Sequence, residues 1–174
     1  VDDFISEEIK MRIKGGNVMK DHRNVVIAVN GSKDVLVDGL KLLKDEKCHV
    51  TVVKVIPSYE GDLSMVGVKN IDDLLSSGAE KEISAIMEIA KTVGAKVKVR
   101  LEEGDIDEKI VEVAEEEKAD LIIMGAGSQN SIKKFFLGSV LDEVTHQAAC
   151  PVLVINDNGS AHSSFLYNLC GITT

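Results

Sequence analysis

Short runs of branched aliphatic residues alternate along this chain with longer stretches of helical periodicity, and few folds accommodate that alternation. Val25 to Val29 (VVIAV) has no polar break, which suits a strand covered on both faces. The runs His49 to Ile56 (HVTVVKVI), Asp120 to Met124 (DLIIM) and Pro151 to Ile155 (PVLVI) predict three more buried strands. Ala95 to Leu101 alternates apolar and charged residues, as a strand near one side of the sheet does. Between these runs, Ser32 caps a helix carrying Leu36, Leu40 and Leu43 on one side. Ile71 to Val93 predicts a long amphipathic helix with Ile71, Leu75, Ala79, Ile83, Met87 and Ala90 inward. Asp105 and Glu108 have capping-box spacing ahead of Ile106, Ile110 and Val113, and Ser139 and Asp142 mark a fourth helix start.

Strands separated by helices predict a doubly wound α/β domain, with right-handed crossovers and helices on both faces of a parallel sheet. The economical topology is flavodoxin- or Rossmann-like: five strands in the order 3-2-1-4-5. Ligands of such sheets bind outside the carboxyl ends of the strands where the order reverses. Here that point falls between strands one and four, at Asn30-Gly31-Ser32 and Gly125-Ala126-Gly127-Ser128. The pattern occupies residues 23–156. Residues 1–22 are expected to be an arm or linker, with Asp2 to Lys14 able to form a short amphipathic helix ended by Gly15-Gly16. Residues 157–174, polar at first and then mildly apolar, are expected to be poorly ordered.

Composition removes several function classes. A net charge of −9 repels phosphate backbones and anionic membranes, so no nucleic-acid partner is expected. No apolar run approaches the roughly 20 residues of a membrane-spanning helix, so no membrane insertion is expected. Cys48, Cys150 and Cys170 share no close spacing with one another or with the histidines, which argues against a disulfide framework or a metal site and for a cytoplasmic setting. There is no GxxxxGK[ST] and no GxSxG elbow. GAGSQN lacks the third glycine of a dinucleotide fingerprint and follows the wrong strand. His146 falls inside a predicted helix and reads as a surface or half-buried residue rather than a catalyst. Cys150 reads as core packing ahead of Pro151.

The stretch Gly125 to Val140 (GAGSQNSIKKFFLGSV) carries the most chemistry. Glycines after a strand let backbone amides approach an anion, and a following helix start adds its positive dipole end. An ordinary strand-to-helix loop with solvated lysines is the alternative reading of these residues alone.

Four segments, VVIAVNGS, KVIPS, ADLIIMGAGS and FFLGSVLDEVTHQAACPVLVIN, together resemble the universal stress protein family over roughly Arg23 to Asn156. The resemblance implies a homodimeric cytoplasmic domain that binds ATP or AMP, with or without Mg2+, and acts in stress regulation rather than as a fast enzyme. Nucleotide-binding members carry G-x-x-G, a nine-residue spacer and G-[ST]; Gly125, Gly138 and Ser139 match, while Ser128 replaces the second glycine and Gly127 stands one place early. The family's acidic residue at the end of strand one falls on Asn30. The resemblance places Val55 at the base, Met124 and Gly125 at the ribose, and Ser139 and Val140 at the phosphates. It also implies that Pro151 to Ile155 pairs antiparallel with a second copy. The alternative function is a dimerising interaction domain with a vestigial site, joined to another protein through residues 1–22.

Overall fold

The computed structural model describes residues 23–29, 33–44, 47–56, 71–125, 134–155 and 165–167, with the side chains of 71–77, 134–139 and 165–167 excepted. The expected arm helix and the Ser32 cap lie outside the described residues.

Among the described residues, six strands form one sheet: β1 (Arg23–Ala28), β2 (Cys48–Ile56), β3 (Val97–Glu103), β4 (Leu121–Gly125), β5 (Val152–Ile155) and β6 (Phe165–Tyr167). Their order is β3-β2-β1-β4-β5-β6. The first five are parallel in the order 3-2-1-4-5 that the alternation predicts, and β6 adds an antiparallel edge. This sixth strand lies within residues 157–174, where the sequence reading places no element. Four helices join the parallel strands: α1 (Lys33–Leu42), α2 (Ile71–Val93), α3 (Ile106–Glu116) and α4 (Lys134–Gln147).

Side-chain alternation along the strands divides the core into two layers. Val25, Ile27 and Val29 of β1 and its extension face Leu36, Leu40 and Leu43 of the α1 region together with Ile86 and Ala90 of α2. Val26 and Ala28 face the other way, into a layer with Ile110 and Val113 of α3 and Val140 and Val144 of α4. Gly39 lets α1 lie close to the sheet, since a Cβ there would stand 3.3 Å from the Ile27 Cδ1 and 3.4 Å from the Ile123 Cγ2.

Helix α2 presents a different stripe from the one its spacing suggests. Ile83 and Met87 are exposed, at 38% and 49% of their full area, while Ile86 and Ala90 are buried. The helix carries two overlapping apolar stripes, and packing against the sheet and α1 selects the one containing Ile86, Ile89, Ala90 and Val93.

Two helices end in the same hydrogen-bonded turn. After α2, the amide of Ala95 donates to the carbonyl of Ala90 at 2.8 Å and that of Gly94 to Lys91 at 3.1 Å, with Gly94 at φ +78°. After α3, Ala119 donates to Ala114 at 2.8 Å and Lys118 to Glu115 at 3.0 Å, with Lys118 at φ +51°. Both are Schellman turns, which need one left-handed residue. Glycine takes that conformation freely, whereas a side chain costs about 1 kcal/mol there. Lys118→Gly is therefore expected to raise stability by about 1 kcal/mol in urea unfolding; an unchanged or lower midpoint would contradict this account. The α3 start is simpler: Asp105 occupies the N-cap position with extended backbone, yet its side chain makes no capping bond, so only the position of the expected capping box is realised.

Candidate functional site

A crevice in a parallel sheet needs two neighbouring strands whose chains leave in opposite directions, and β1 and β4 meet that requirement. They pair side by side from Val25 opposite Leu121 to Ala28 opposite Met124. The helix that follows β1, α1, packs on one face, and the helix that follows β4, α4, packs on the other. Connections leading from adjacent strands to opposite faces open a gap at the carboxyl ends of those strands.

Four of the site residues that the resemblance implies are among the described residues. Val55 of β2, Met124 of β4 and Val140 of α4 belong to one hydrophobic layer on the α3–α4 face. Their exposures are 2%, 4% and 8%, so they form the packed wall beneath the strand ends. Gly125, the last residue of β4, pairs with Ile155 and is half-buried. Ala28 stands between Val53 and Met124 in the register and shares their layer. Asn30, Gly127 and Ser128 lie outside the described residues.

Gly138 and Ser139 are placed differently from expectation. The sequence predicts a helix start at Ser139, but α4 begins at Lys134. Both residues consequently fall inside the helix, beyond the first turn whose amides have no intrahelical partner. A glycine in a helix interior costs about 1 kcal/mol relative to alanine, which the flanking helical residues absorb.

Charge is distributed unevenly around the strand ends. Glu102, Glu103, Asp105, Asp107 and Glu108 gather where β3 passes into α3, while Lys133 and Lys134 stand in sequence at the start of α4. An anionic group would thus meet repulsion on the β3 side. Among the described residues, an ion network lies elsewhere, between β3 and the carboxyl end of α3. Lys98 Nζ is 2.6 Å from Glu117 Oε1, Arg100 Nη1 is 2.6 Å from Glu116 Oε2, and Arg100 Nη2 is 2.6 Å from Glu102 Oε1. The hydroxyl of buried Thr51 donates to Glu117 Oε2 at 3.3 Å. The bond from Lys98 holds the Glu117 carboxyl below its ordinary pKa, and that to Glu116 raises Arg100. Asn24 adds to this clamp: its Nδ2 donates to the carbonyl of Glu117 at 2.9 Å, and its amide to Asp120 Oδ2 at 3.0 Å. These contacts tie an edge strand to its helix and leave the crevice to other residues.

His146 is exposed, with its Nδ1 2.7 Å from the carbonyl of Asp142 on the preceding turn. Cys150 is buried in the α3–α4 layer, as core packing requires. Among the described residues no cluster of His, Cys, Asp or Glu is arranged to hold a metal ion. No helix among them is long and apolar enough to cross a membrane.

Comparison with known proteins agrees with this architecture. The Universal stress protein family profile matches residues 22–156. Universal stress protein MJ0531 of Methanocaldococcus jannaschii is 30% identical over 140 residues, spanning 77% of this chain and 82% of its own. Among solved structures, the hypothetical protein MJ0577 superposes with a TM-score of 0.63 at 28% identity, covering 79% of this chain and 98% of its own. Two more distant structures share the fold. One is the Archaeoglobus fulgidus universal stress protein in complex with dAMP (TM-score 0.55, 24% identity, 76% of this chain and 97% of its own). The other is a universal stress protein in complex with cAMP (TM-score 0.57, 23% identity, 76% of this chain and 96% of its own).

Proposed function

This chain belongs to the universal stress protein family, and on that premise we propose that it is a nucleotide-binding regulatory module of stress adaptation, holding ATP or AMP between the ends of β1 and β4. The observation that carries this reading is the placement of α1 and α4 on opposite faces after adjacent strands, which opens the crevice. Complexes of relatives with dAMP and cAMP supply the ligand class. The uneven charge supplies the orientation: the adenine lies toward Val55 and the phosphates toward the β4–α4 loop, away from the acidic β3–α3 end. Met124 and Gly125 flank the ribose, and Asn30 accepts a hydrogen bond from it. Because α4 starts at Lys134, the phosphates meet the loop carrying Gly127 and Ser128 and the first turn of α4. Gly138, Ser139 and Val140 lie one turn deeper and support that turn.

Val55, Met124, Gly125 and Val140, the described residues at the crevice, carry no acid–base group. That suits a binding module rather than a fast enzyme. Calorimetry of the wild-type chain with Mg-ATP and with AMP is expected to give a Kd in the range of tens of micromolar, the affinity of a site with one or two weakened polar contacts. Absence of heat from a normally folded sample would overturn this reading and leave an interaction domain with a vestigial site.

A further inference from the structure

Helices α1 and α2 cover the same face of the sheet, and a cleft of about 590 Å³ lies between them. Its α1 wall is Lys33, Val37, Lys41 and Lys44. Steps of four and three residues keep these on one side of the helix. Lys44 stands on the closing turn, its amide donating to the carbonyl of Lys41 at 3.3 Å. The α2 wall offers Ala85, Ile89 and Val93, again four residues apart. Val37, Ile89 and Val93 are only half-buried, so apolar surface remains open between a lysine at one end of α1 and two at the other. Three lysines and one acid, Glu88, line the cleft, a surplus of two positive charges in a chain of net charge −9. At physiological salt a charge is felt over roughly 8 Å, so the lining sets what the cleft attracts. Lys41 lies 3.5 Å from Asp38, an exposed and weak pair that another carboxylate can share. No salt bridge joins Lys33 or Lys44 to another described residue.

We propose that the α1–α2 cleft docks a short amphipathic helix of a partner protein, its acidic side chains on the lysines and its apolar ones between them. Two features select a helix over a single-headed anion such as a fatty acid. The lysines are spread over roughly 16 Å at 1.5 Å per residue, beyond the reach of one carboxylate. The cleft also follows two packed helices, the kind of groove that takes the apolar face of a third. A helix is roughly 10–12 Å across, so its side chains enter the cleft while its backbone stays outside. None of the lining residues is among those placed at the nucleotide, and this inference does not rest on nucleotide binding.

The test titrates the isotope-labelled full-length chain, by amide chemical shift, with a blocked helical peptide of about 16 residues. The peptide carries glutamate and leucine along one face in the spacing of Lys33, Val37, Lys41 and Lys44. Saturable shifts are expected on α1 and on the part of α2 from Ala85 to Val93, with a Kd of about 100 µM, the scale of a weak contact. Raising NaCl from about 0.05 to 0.5 M is expected to weaken binding about fivefold. Lys33→Glu, Lys41→Glu and Lys44→Glu combined are expected to weaken it about tenfold or more, and to confer binding to the same peptide with lysine for glutamate. All three lysines are exposed, so this variant keeps its fold. Absence of saturable shifts, equal binding of wild type to both peptides, or unchanged affinity in the variant would overturn the proposal. So would tighter binding of dodecanoate at the same amides, or shifts there that grow with protein concentration alone, the mark of a second copy. If the variant does not fold, the two peptides and the salt series on wild type decide.

Discussion

Ile123→Ala is expected to lower the stability of this domain by about 3 kcal/mol, the range for emptying a fully buried aliphatic site that cannot collapse. Ile123 has no exposed area, sits in the middle of β4 and lies directly under α1 where Gly39 brings that helix closest to the sheet. A helix already in close contact has little room to settle further, so most of the cavity should remain. For a domain of this size the loss corresponds to a fall in Tm of roughly 6–12 °C. Ile83→Ala is the control, because Ile83 is exposed on the outer stripe of α2 and its truncation should change stability by less than about 0.5 kcal/mol. Thermal melts of the two variants separate the stripe that packs from the stripe that only looks as though it should. Similar losses in both would contradict the two-layer core described above.

Ser128→Gly and Asn30→Asp are expected to tighten nucleotide binding by about tenfold each, and by about a hundredfold together. On the proposed reading, a glycine at position 128 would remove a Cβ beside the phosphates and admit a left-handed backbone. On the same reading, a carboxylate at position 30 would replace a neutral acceptor for the ribose, and a hydrogen bond to a charged group is roughly twice as strong as a neutral one. Each change is worth about 1.4 kcal/mol on these grounds, which is the tenfold step. Titration of wild type, both single variants and the double variant with Mg-ATP and AMP checks the series. If only the double variant binds, the native site is vestigial. If Asn30→Asp improves AMP but weakens ATP, the added charge lies near the outer phosphates rather than the ribose.

Much of what these variants probe is legible in the amino-acid sequence. The run VVIAV has no polar position, which suits a strand covered on both faces, and three similar runs and one alternating run with helices between them leave a parallel sheet as the economical answer. From that sheet the place of the crevice follows by topology alone. Gly94 is likewise readable as a helix stop, since glycine is the residue that takes its left-handed backbone without strain.

Other features depend on partners far away in the chain. The α2 sequence offers two apolar stripes, and only the position of α1 and the sheet decides that Ile86 and Ala90 pack while Ile83 and Met87 face outward. Lys118 adopts the same left-handed backbone as Gly94 with no local signal, because the clamp of Asn24 on the α3 end outweighs the preference of a lysine. The start of α4 at Lys134 is hidden because Gly138-Ser139 looks like a helix cap, although a helix can run through such a pair when its neighbours favour it. Phe165, Leu166 and Tyr167 become a strand only because β5 presents an open edge beside them. Hydrophobic periodicity, which is local, determines the elements, their order and the end of the sheet where the crevice opens. Choices between nearly equal local options, in helix face, helix start and edge partner, are settled by tertiary contacts, because there the local energies differ by only about 1 kcal/mol.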